Sequence, residues 1–153
     1  MALARLVRIA AIVLALVLAS ASAVFAGEAE IYTGEIPGVA INGYDPVAYF
    51  TEDKPVAGSE AITASWKGAT WRFASEANKA AFVENPEKYA PQYGGYCAYA
   101  VAQGATASTV PEAFTVVNDK LYLNFSSGVR QLWRKDTAGN ISKADTNWPK
   151  VLE

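Results

Sequence analysis

A chain of 153 residues, 52% apolar, with one Cys, one Met and no His, is long enough for one small domain with its own buried core. Its 13 Lys and Arg against 15 Asp and Glu give a net charge of −2, so no basic surface exists to replace counterions on nucleic acid. The absence of His removes the commonest general base and metal ligand, which excludes Ser-His-Asp, Cys-His and imidazole-zinc chemistry.

The first predicted segment is not part of the fold. Arg5 and Arg8 form a positive start, Ile9 to Leu18 is apolar, and Val24 and Ala26 are small residues at −3 and −1. Residues 1–26 therefore read as a secretory signal cleaved before Gly27, which implies a periplasmic or secreted protein of bacterial type. The rival reading is an uncleaved anchor, but the apolar run falls short of the ~20 residues that a membrane span needs. No stable span is expected after cleavage. Without Arg5 and Arg8 the 13 bases fall to 11 against 15 acids, and Cys97 becomes the sole sulfur atom.

Residues 27–38 are small, acidic and rich in turn formers, and read as an N-terminal arm. Residues 39–153 read as one domain. Val39 to Asn42 is predicted as a short strand and Asn42-Gly43 as its turn. Asp45-Pro46 marks a helix start, with the helix running from Pro46 to Phe50. In Gly58 to Phe73, Ile62, Ala64 and Trp66 alternate with polar residues before Lys67-Gly68, which predicts a hairpin. Ser75 caps a helix ended by Asn85-Pro86, and a further turn carries Tyr89.

Gly94-Gly95 permits a backbone path that other residues resist, and a helix is predicted from this pair to Gly104, with Cys97 near its positive end. Asn118-Asp119 joins a second hairpin, Phe114 to Val117 with Leu121 to Phe125. Ser126 caps a helix through Trp133, and Asn140 is expected to cap a last one that reaches Trp148. The series is an α+β domain of two β-hairpins with short helices on them.

Taken together, these residues resemble the YHS-domain family, and within it the exported branch. The resemblance rests on Asn42-Gly43-Tyr44-Asp45-Pro46-Val47-Ala48-Tyr49-Phe50, Trp66-Lys67-Gly68, Trp71-Arg72-Phe73-Ala74-Ser75, then Asn78, Phe82, Pro86, Tyr89 and Gly94-Gly95-Tyr96-Cys97-Ala98. It implies a treble-clef-like core with a C-terminal extension of hairpin and helices. It also implies thiolate ligands where this chain has Ala48, Ala74 and Asn78. Soft metals are held by two to four thiolate, thioether or imidazole donors, and the mature chain keeps one thiolate. The family's metal role is therefore not carried over to a monomer of this chain, and no metal ligand or cofactor is expected.

Cys97 has two readings, an accessible thiol for redox or covalent chemistry and a buried small hydrophobe in an Ala-rich run. Asp45 is read as a helix cap or a ligand-binding carboxylate. The mature chain has 17 aromatic residues, which fill a core or line a pocket with tyrosine hydroxyls as orienting groups. The expectation is an exported, non-catalytic binding or accessory module for an unknown small ligand or protein partner. Its candidate ligand-binding residues are Tyr44, Asp45, Trp71, Tyr93, Tyr96 and Cys97. The alternatives are thiol chemistry at Cys97, or copper handling only through a dimer at Cys97 or a partner.

Overall fold

The computed structural model describes residues 27–153, so residues 1–26, expected to be a signal, lie outside the described residues. Two separate antiparallel hairpins form the β part, β1 (Ser59–Trp66) with β2 (Ala69–Phe73) and β3 (Phe114–Val117) with β4 (Lys120–Leu123). Helices α1 (Ala48–Thr51), α2 (Glu76–Glu84), α3 (Pro86–Tyr89), α4 (Ala98–Ala102), α5 (Ser127–Arg134) and α6 (Thr137–Asn147) surround them. The α+β expectation holds. No helix among the described residues is long and apolar enough to cross a membrane.

Local chemistry sets most of these boundaries. Both hairpins turn on two residues of positive φ, Lys67-Gly68 (48° and 76°) and Asn118-Asp119 (51° and 57°), whose twist matches that of the flanking strands. Ser75 Oγ accepts from the Asn78 amide, Asn85 Oδ1 from the Lys88 amide and Ser126 Oγ from the Val129 amide, which caps α2, α3 and α5.

Three predicted elements are corrected. Val39 makes a single parallel bridge to Thr70, and Ala40–Gly43 is a 3-10 turn in which Ile41 and Asn42 take positive φ. The positive φ at Ile41 and Asn42 is incompatible with an extended strand, and within this turn Ala40 and Ile41 are buried in the core. The helix after the glycine pair starts at Ala98, since Gln92–Gly95 form a separate 3-10 turn and Tyr96 is extended. The last helix is capped by Asp136, whose Oδ1 accepts from the Gly139 amide, and not by Asn140. Asn140 lies inside α6, buried, donating to the Trp133 carbonyl at 2.9 Å.

The strand β4 separates two cores. Leu121 and Leu123 face Trp71, Phe73, Phe82 and Tyr49, while Tyr122 faces Tyr93, Tyr96, Val101 and Trp133. Successive side chains of a strand point to opposite faces, so one short segment serves both cores. The arm belongs to this packing: Ile31 is buried in the first core, the Tyr32 amide donates to the Gly94 carbonyl, and the Glu28 amide donates to the Leu152 carbonyl, both at 2.8 Å.

Candidate functional site

The candidate residues fall in two places, and the first is a corner centred on Asp45. Its side chain is fully buried where α1 begins, β2 ends and α2 starts. Oδ1 accepts from the Val47 amide at 2.8 Å; Oδ2 accepts from the Ala74 amide at 2.8 Å and the Asn78 amide nitrogen at 2.7 Å. The Val47 bond closes a turn just before α1, which starts at Ala48 and not at the predicted Pro46. Val47 is at its N-cap with no side-chain cap, so Asp45 is not the helix cap. The other two bonds lock Asp45 to the hairpin and to α2. Tyr44, just before it, is half-buried in a bridge to Ala57. Trp71 is fully buried, its indole N–H on the Trp66 carbonyl at 3.1 Å and its ring against Phe82. It is a core residue with no exposed face.

This corner contains the positions where the resemblance implies thiolates. They offer the methyl groups of Ala48 and Ala74 and the amide of Asn78, and both oxygens of the one carboxylate already accept N–H bonds. Among the described residues no three Asp, Glu or Cys side chains gather as a metal-holding group. Hard or soft, a cation here would find its lone pairs engaged, so these residues do not fit a bound metal.

The second place is the aromatic core beyond β4. Tyr93 sits at φ 57° and donates its hydroxyl to Asp145 Oδ1 at 2.8 Å. Burial, then the hydrogen bond and charge of Asp145, push its phenol far above the ordinary tyrosine value of 10.0. Tyr96 donates to the Ala29 carbonyl at 2.8 Å, and burial, then the charge of Glu28, raises its pKa as well.

Cys97 is 1% exposed and forms the boundary residue before α4. Its Sγ accepts from the Phe125 amide at 3.3 Å, and its thiol donates to Asn124 Oδ1 at 3.6 Å. The same Oδ1 accepts from the Tyr99 amide, while the buried Asn124 Nδ2 has no partner among the described residues. Cys97 thus packs and hydrogen-bonds in the folded chain, as the buried reading has it.

One cleft touches this set. It encloses about 310 Å³ where the arm, the tip of the first hairpin, the Ala90–Gly94 segment and Trp148 meet. Three aromatic residues line it, Trp66, Tyr93 and Trp148, together with the charged Glu30, Lys67, Glu87 and Lys120. Lys67 Nζ pairs with Glu30 Oε1 and lies 4.9 Å from the Trp66 ring centroid.

Of the six predicted residues only Tyr93 reaches this cleft. Asp45, Tyr44 and Trp71 belong to the first place, Tyr96 and Cys97 to the second, so the set does not form one site. Missed were Glu30, Lys67, Glu87 and Lys120: in sequence Lys67 reads only as a turn residue, Glu30 only as part of the acidic arm, and none of the four is given a binding role. One signal was available for Lys67: a lysine in a two-residue turn, where Asn, Asp or Gly is the usual choice.

The model of the YHS domain matches residues 47–93, from the start of α1 to the strained Tyr93. That match includes Trp71, Tyr93, Ala48, Ala74 and Asn78 and stops short of Cys97. No curated protein and no solved structure matches the chain. The first hairpin, the Asp45 corner and the cleft wall at Tyr93 lie in or beside the matched segment, so the chain carries a YHS domain at residues 47–93.

Proposed function

We propose that this chain is an exported, non-catalytic binding module of the YHS-domain family, and that the cleft beside Tyr93 is its ligand face. One observation carries the reading. Three aromatic walls and four charged groups converge on a space of about 310 Å³, a size that suits a small ligand, and the backbone of Tyr93 is held there in a conformation that non-glycine residues rarely adopt. The residues with chemical potential elsewhere are engaged: Asp45 by three N–H donors, Cys97 by burial and the Phe125 amide. Aromatic side chains flanked by charged groups, with no free nucleophile among the lining residues, support recognition rather than turnover.

The test is native mass spectrometry of the protein recovered from the periplasm after expression with its own leader. A non-covalent adduct that disappears on denaturation, and is lost in a Trp148→Ala variant, is the expected result. One copper or zinc per chain that vanishes in Cys97→Ser overturns the reading in favour of metal handling. A covalent adduct on Cys97 overturns it in favour of thiol chemistry.

A further inference from the structure

Lys67 stands where its side-chain chemistry, not its turn propensity, explains it. The second hairpin turns on Asn118 and Asp119, residues that tolerate positive φ, whereas the first places a lysine at φ 48°. The lysine does two things there. Its ammonium pairs with Glu30 of the arm, and it lies 4.9 Å from the centroid of the Trp66 ring, within the range of a cation–π contact. The cleft thus already holds an alkylammonium between a carboxylate and an indole, and the chain itself supplies it.

The charge of the cleft points the same way. With Lys67 in place, Glu30 and Glu87 balance Lys67 and Lys120. With Lys67 turned out to solvent, two carboxylates face one ammonium, so the space carries −1 between Trp66, Trp148 and Tyr93. Aromatic walls with an excess carboxylate are the setting in which quaternary and alkylated ammonium groups are recognised. Such groups are more weakly hydrated than the lysine ammonium, so they lose less on leaving water. Lys67 is a weak competitor, because both it and Glu30 are partly exposed and an exposed ion pair contributes little.

We propose that the cleft binds an organic monocation of the quaternary or alkylated ammonium class, with Lys67 as the tethered group that it displaces. This rests on the binding-module reading above. The probe is choline chloride, titrated into the mature chain while the Trp66 and Trp148 indole N–H resonances are followed by NMR. Its uncharged isostere, 3,3-dimethylbutan-1-ol, is the control.

Choline is expected to bind saturably and the alcohol at least about tenfold more weakly. Lys67→Asn keeps a residue suited to positive φ and is expected to bind choline roughly tenfold more tightly, since the competitor is gone. Glu30→Gln, on the arm surface, is expected to bind it several-fold more weakly. Equal affinity for the alcohol, weaker binding by Lys67→Asn, or no saturable choline shift in either chain overturns the proposal. An anionic or neutral adduct in the native mass spectrum also overturns it and leaves the binding-module reading standing. A stoichiometric metal in that spectrum removes the reading itself.

Discussion

The Asn78 side chain donates to Asp45 Oδ2 at 2.7 Å across 33 residues of sequence, and so ties the first turn of α2 to the start of α1. Among the described residues Asp45 has no cationic partner; its three bonds all come from neutral N–H groups. A buried carboxylate held this way is stabilising only while all its donors stay in place.

Asp45→Ala therefore removes both acceptor oxygens and orphans three donors, with an expected loss of about 3 kcal/mol or more. The double-mutant cycle with Asn78→Ala, measured by urea denaturation, should give a coupling of roughly 1–3 kcal/mol. A coupling near zero would mean that the two side chains act independently.

Gly94 lies at φ 62°, and a Cβ there would collide with the carbonyl oxygen of Glu30. Gly94→Ala should cost about 2 kcal/mol or more and free the arm, seen as rapid proteolysis after Glu28 and Glu30. Gly68→Ala is the control, since φ there is 76° but nothing lies within 4 Å of the added methyl. It should lower stability by only about 1 kcal/mol and leave the arm protected. Equal proteolysis of both variants would contradict the role given to the Gly94 contact.

Cys97 should react with a colorimetric disulfide reagent only as fast as the chain opens, because its sulfur is buried and engaged by the Phe125 amide. Raising urea should accelerate the reaction in step with the unfolded fraction. Native-state reaction at the rate of free cysteine would return thiol chemistry to the foreground.

Alkaline pH should unfold the protein. Burial is the leading cause of raised pKa values at Tyr32, Tyr49, Tyr93, Tyr96 and Tyr122. In the unfolded chain these phenols lose their protons near 10, whereas the folded chain retains them, so stability is full below pH 10 and falls above it. For the deeply buried Tyr49 each retained proton lowers stability by about 1.4 kcal/mol per pH unit in that window, and the effect is smaller for phenols nearer solvent, where water screens it. Phenolate absorbance and far-UV circular dichroism should therefore change together above pH 10. Phenolate appearing at full amplitude in a still-folded chain would refute the coupling.

The caps at Ser75 and Ser126 and the two hairpin turns were legible because each depends on residues within four positions of one another; the cap that Asn85 makes on α3 reads in sequence only as a helix stop. Asp136 outcompeted Asn140 as the last cap because Asn140 had a tertiary partner, the Trp133 carbonyl, that a local pattern does not reveal. Of the candidate site, the aromatic character and Tyr93 were legible; its grouping with Asp45 and Cys97 was not. Proximity in sequence, as between Tyr93 and Cys97, says nothing about which side of β4 a side chain takes or which segment covers it.

What the sequence by itself determined was its donor inventory: no imidazole, and three small or amide residues where the family resemblance implies sulfur. Composition cannot be undone by folding, so that limit on chemistry stands at any conformation. Which groups share a surface was decided only in three dimensions, where the arm returns across Gly94 and carries Glu30 to Lys67, 37 residues away. The physical reason is that long-range pairing follows from how two cores close on either side of one strand, and no local propensity encodes that distance.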